Sequence, residues 1–373
     1  MVGKIVNHAD TSPETSAYKM PEGEGLEAIA RGFAILTAGR SPEARVGVPD
    51  VRRPVRLLPA QGHGPDVALR LTGHIDLPAH AGQGGFDHAA IHERTRRLYV
   101  AHTANDAVDV IDCTRGVFTH SIGGLPGVAG VLVDGARDLA FTSNRAEDTV
   151  SVFQPEAEDK IVKVGVGVHP NGLAFDSRRG TLLAANVGDP AVPGSFTLSV
   201  VDVDSMRLRG AIAVPGRTRW AIYDRGLDRF FVNIAAPAQI VVVAGDAASR
   251  IAETYEVPAA GPHGLELDVD GGRLFCACDA GQLVALDAAT GRVLGMVGLS
   301  GAPDVIFLDP ALGRLYVAVG DPGVIDVIDV RAMRRLETVP TEPGAHTTAL
   351  DGRRHRLYVF LPETHRAAVF VDG

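Results

Sequence analysis

The sequence predicts an all-β fold in which seven four-stranded antiparallel sheets form a ring. Three observations predict it. The chain repeats itself at intervals of 41 to 48 residues. Each copy alternates apolar and polar residues between turn-forming residues, the period-2 signature of strands. The last copy stops one strand short, while an unpaired strand pattern precedes the first copy.

Composition sets the frame. Of 373 residues 46% are hydrophobic but only 5% aromatic, and there are 43 Gly and 23 Pro. Such a chain makes many turns and packs a core of Val, Leu, Ile and Ala, which favours a large all-β architecture over a helical bundle. The formal net charge of −9, with no long basic run, carries no electrostatic footprint of nucleic-acid binding. No apolar run approaches the roughly 18 residues that span a bilayer, and the N-terminus lacks a secretory pattern. Cys113, Cys276 and Cys278 are too few for a disulfide framework. Cys276 and Cys278 share one side of a strand and read as small buried hydrophobes. These features lead to the expectation of a soluble cytoplasmic protein with a small-molecule substrate, and neither nucleic acid nor membrane as a partner.

The repeat is clearest in RLYVAHTANDAVDVID (Arg97–Asp112) and RLYVAVGDPGVIDVID (Arg314–Asp329). Weaker copies begin at Asp138, Arg229, Arg273 and Arg356, and the copy at Thr181–Asp204 carries an insertion in its turn. With the strand before each phrase and the strand after it, every unit reads as strands a, b, c and d. The starts of strand a fall at Asp87, Ala129, Asn171, Arg219, His263, Asp304 and His346. A spacing of about 40–45 residues is that of propeller blades. One such sheet cannot bury both faces, whereas radial stacking does so and protects the edges. The last unit lacks its strand d, and Val67–Pro78 has the alternation of one, so residues 67–78 are expected to complete the seventh blade and close the ring.

The pieces Tyr99-Val100-Ala101-His102, Leu183-Ala184-Ala185-Asn186 and Tyr316-Val317-Ala318-Val319 resemble the YVTN-type β-propeller family over residues 67–373. That resemblance implies a seven-bladed ring and no particular activity. Residues 1–66 read as an N-terminal extension outside the ring. Its segment at about 24–39 has the apolar spacing of an amphipathic helix, and it could mediate contacts in a homodimer.

Chemistry is expected where strands a begin and strands b end, because both crowd one mouth of the central channel. The a-starts gather His, Asp, Asn and Arg there. His263, His346, Asp304 and Asp87, on consecutive blades, are the expected ligands of one divalent metal ion, since mixed N/O donors suit such ions. Without a metal, His263 or His346 would serve as general base tuned by Asp304, with Arg219 stabilising an anion. Arg219, Asn171, His102 and Asn186 are the expected substrate-binding residues. If Asp87 faces the channel, its neighbour His88 is expected to point between blades. Streptogramin B lyase and gluconolactonase-like propellers are similar in placing a site at this end. The functional expectation is therefore a small-molecule enzyme, of lyase, hydrolase or oxygenase class. The alternative is a non-catalytic propeller that binds or scaffolds a protein partner.

Overall fold

The computed structural model describes residues 69–246 and 248–373. The extension 1–66, its helix at about 24–39 and the dimer contact expected of it lie outside the described residues. Among the described residues the fold is seven antiparallel four-stranded sheets. In blades 1 to 6 the chain runs through each sheet in order, from strand a innermost to strand d outermost. The a strands are Ala89–His92, Val128–Asp134, Pro170–Asp176, Thr218–Asp224, Pro262–Asp268, Pro303–Asp309 and Thr348–Asp351. Each packs against the a strands on either side, including blade 7 against blade 1, so the ring is closed.

The seventh sheet is completed as the sequence predicts. Arg70–Asp76 pairs antiparallel with strand c of blade 7, Arg366–Val371, with a bulge between Leu71 and Gly73. Ile75 and Leu77 enter the core between blades 7 and 1, and Leu69 enters the core between blades 6 and 7. Its backbone N–H donates to Glu337 (3.1 Å). These contacts remove the free edge that strand c would otherwise present.

Seven hydrophobic clusters lie between adjacent blades. The b and c strands supply most of them, and their central residues are buried on both faces. Strands d are largely exposed and bury single residues such as Ile122, Val297 and Val339, while Val293, Leu294 and Met296 are among the apolar side chains they leave to solvent. Short turns are fixed by aspartates at strand ends. Asp224 accepts the N–H groups of Gly226 and Leu227, and Asp112 those of Thr114 and Arg115. An Asp side chain that mimics a backbone turn in this way ends a strand and starts a hairpin.

Close approach of neighbouring a strands depends on glycine. At Gly130, Gly172 and Gly264, each one residue past the a-start, an added Cβ would stand 2.2, 2.4 and 2.3 Å from the carbonyl oxygens of Asn171, Arg219 and Asp304 on the next blade. These contacts set the spacing of the a-start residues around the axis.

Candidate functional site at the channel mouth

Strand a of blade 5 begins with Pro262 and His263, directly after the tight turn at Gly261 (φ +69°). A Cβ at Gly261 would lie 2.7 Å from that of Asp279, so glycine lets the turn pass against Asp279 just beyond strand b. His263 Nδ1 consequently meets Asp279 Oδ1 at 2.7 Å. On the other side of the ring, Arg219 Nη1 meets His263 Nε2 at 3.0 Å, and Asp304 Oδ1 lies 3.3 Å from the same nitrogen. Arg219 also reaches Asp279 (3.4 Å). The a-starts of blades 4, 5 and 6 thus lie together, with Asp279 as a fourth member.

A carboxylate can only accept, so Asp279 holds a proton on His263 Nδ1. Nε2 then carries the lone pair, into which Arg219 donates. Burial would raise the Asp279 carboxyl, but the His263 hydrogen bond and the charges of Arg219 and Arg217 outweigh it and keep Asp279 below the usual carboxylate range. Arg145, just past strand b of blade 2, pairs with Asp87 (3.3 Å). Arg217 has no ion-pair partner within 4 Å among the described residues. Partial burial, then the nearby Arg219 and Arg145 charges, lower its affinity for a proton. The Nε atoms of Arg219 and Arg145 and the Oδ1 of buried Asn171 have no hydrogen-bond partner among the described residues.

The expected metal quartet does not assemble. His346 donates from Nδ1 to the Gly344 carbonyl (2.7 Å) and makes no hydrogen bond with Asp304 or His263. It precedes the short strand a of blade 7 by two residues, where the chain is irregular. Asp87 is turned to Arg145 and His88. The Arg219 guanidinium, itself a cation, already stands 3.0 Å from His263 Nε2, the nitrogen that an ion would have to take. No group of three or more His, Cys, Asp or Glu among the described residues is arranged to hold a metal ion. As placed, His263, His346, Asp304 and Asp87 do not form a divalent-ion site.

Two expected substrate contacts are turned into their blades instead. His102 is fully buried, with Nδ1 on Asp109 (2.7 Å) and Nε2 on His80 (2.7 Å). Asn186 donates to Thr197 and Ser199 of strand c, both at 2.9 Å. Asn144 does the same in blade 2, toward Thr149 and Ser151. The last residue of these b strands therefore ties strand c rather than facing the axis. Cys276 and Cys278 are buried thiols, 3.8 Å apart and within the core between blades 4 and 5.

His88 corrects the expectation in the other direction. Its ring stacks on Trp220 across the channel, with centroids 4.0 Å apart, so blades 1 and 4 meet over the axis. Burial lowers its affinity for a proton, against the opposing pull of Asp87 and Asp304. Sequence reasoning missed Arg145, Arg217 and Trp220. Arg217 and Trp220 flank Arg219 in the run Arg217-Thr218-Arg219-Trp220, a concentration of large polar groups at one a-start that was the available signal.

No family model matches the chain, and no curated protein matches it. Among solved structures it is similar to the hydrazine synthase of Kuenenia stuttgartiensis, at 15% identity over 79% of this chain and 98% of that one, with a TM-score of 0.68. It is also similar to a chain of the mitotic checkpoint complex, at 12% identity over 89% of this chain and 98% of that one, with a TM-score of 0.69. Identities this low show a shared fold alone. One comes from an enzyme and the other from a checkpoint assembly, and a shared fold does not choose between such functions. No helix among the described residues is long and apolar enough to cross a membrane.

Proposed function

We propose that the mouth binds a small organic carboxylate and that His263 acts on it, or on a water beside it, as general base. One observation carries this reading. His263 is oriented by Asp279 on one nitrogen and masked by Arg219 on the other, with the unpaired Arg217 close by. A carboxylate arriving at Arg217 competes for Arg219, because a guanidinium pairs bidentately with a carboxylate more strongly than it donates to a neutral imidazole. The ligand that recruits Arg219 thereby frees the Nε2 lone pair beside itself. Asp279 then stabilises the imidazolium as the proton arrives. The chemistry is proton abstraction, of lyase or hydrolase type. The YVTN-type resemblance of the repeats supports the ring alone.

The test is exchange of carbon-bound protons for deuterium in a panel of short 2-oxo and 2-hydroxy carboxylates, followed by NMR. Wild-type protein is expected to bind and exchange a member of the panel. His263→Asn should slow exchange by about 10²–10⁴-fold with binding retained, and Arg217→Ala should weaken binding. Exchange that persists in His263→Asn, or a panel that does not bind, refutes the proposal and leaves the ring as a docking scaffold.

A further inference from the structure

We propose that the channel below the His88–Trp220 pair is a second binding chamber, for the ammonium group of an apolar amine, with Glu266 as its counter-ion. The chamber is a cavity of about 520 Å³ lined by the a strands of all seven blades, a size that suits a small ligand. Glu266 stands three residues past the a-start of blade 5. At the same step the other six blades carry Ala90, Leu132, Ala174, Ile222, Phe307 and Ala349. A single carboxylate therefore projects from a belt that is otherwise apolar.

No cation among the described residues neutralises it. Its Oε1 accepts the N–H of Leu267 (2.8 Å), the Leu308 amide helps to hold it, and it has no ion-pair partner among the described residues. The other ionisable groups on the channel are accounted for. His88 closes the upper end and is kept neutral by burial. Toward the lower end, Asp351 pairs with Arg96, Glu93 with Arg353, and Tyr223 donates to Asp228. Asp134 accepts from the Arg137 amide and the Ser177 hydroxyl. His263, on the same strand, belongs to the mouth above. Desolvation raises Glu266 to about 7, against the two amide hydrogen bonds. A carboxylate in apolar walls that lacks a cation is suited to a ligand that supplies one together with a hydrocarbon body.

The probes are n-hexylammonium, n-hexanol and hexanoate, titrated calorimetrically. Hexylammonium keeps its charge at pH 8, as a lysine does. It is expected to bind more tightly than hexanol there, and hexanoate not at all. The ammonium selects the ionised acid. With Glu266 near 7, its affinity should rise on the order of 30-fold from pH 5.5 to pH 8, and binding near pH 6 should release a proton, seen as a buffer-dependent heat. Glu266→Gln should abolish both the pH dependence and the preference over hexanol. Hexylammonium binding no tighter than hexanol, or independent of pH in the wild type, overturns the proposal. So does unchanged selectivity in Glu266→Gln. Should that variant not fold, the proton release of the wild type decides alone.

Discussion

Replacing Gly172 or Gly264 by alanine tests whether the a strands are as tightly seated as the channel geometry requires. The added Cβ would stand 2.4 Å from the Arg219 carbonyl oxygen in the first case and 2.3 Å from that of Asp304 in the second. A Cβ essentially never comes within 3.0 Å of such an atom. Neither oxygen belongs to a flexible side chain, so a blade must shift by about 0.6–0.7 Å, an overpacking that costs about 1–3 kcal/mol. For a ring of this size that corresponds to a fall in Tm of about 2–4 °C per kcal/mol or somewhat less. The two changes lie in different seams and should add. Gly165→Ala is the control. It sits at the end of strand d in blade 2 with nothing within 4 Å of the added atom, and should stay within about 0.5 kcal/mol of wild type. Denaturant midpoints and thermal melts of the three variants are the assay. If Gly172→Ala and Gly264→Ala are as stable as Gly165→Ala, the blades are not in contact at these steps and the reasoning fails.

Two more outcomes follow from charges away from the axis. Asp228 accepts from Arg179 (2.7 and 2.8 Å) and Tyr223 (2.6 Å), and these bonds hold it down to about 2. A depressed carboxyl contributes stability above its unfolded value of about 3.9, and that contribution is lost as pH falls toward 2. Asp228→Asn should therefore cost on the order of 1 kcal/mol at pH 6, after allowing for solvent screening, and the difference from wild type should vanish near pH 2 in acid-unfolding curves. Asp372, in contrast, is buried, accepts the Tyr316 hydroxyl (2.7 Å) and pairs with Arg314. Asp372→Ala leaves both donors without a partner and should cost about 2–4 kcal/mol by chemical denaturation.

The ring was legible because its cause is periodic. Each blade repeats the same alternation and the same turn aspartates, so seven weak signals reinforce one another, and the missing last strand points to Arg70–Asp76. The mouth was legible only as a list of a-starts. His263, Arg219 and Asp304 do converge, because a regular strand start leaves little freedom. His346 and Asp87 do not, because in blades 7 and 1 the regular strand begins two residues later and the chain is free to turn. His102 and Asn186 misled for a different reason: at the end of strand b a polar side chain can satisfy strand c instead of the channel, and residue type does not reveal which. Nothing in the sequence singles out Glu266. Its meaning depends on the six apolar residues at its level, which come from blades far apart in the chain.

The borrowed strand of the seventh blade makes the ring's integrity depend on its most distant partners. The Thr72 hydroxyl bonds the Val369 carbonyl across 297 positions of sequence, so this sheet carries the largest loop-closure entropy in the molecule and should be the last to assemble. Six finished sheets before that moment form an open crescent with two raw ends, the form in which a newly made chain is most exposed to aggregation. Once clasped, no sheet is terminal. Thermal fraying has no place to begin, and loosening any one sheet strains all the others.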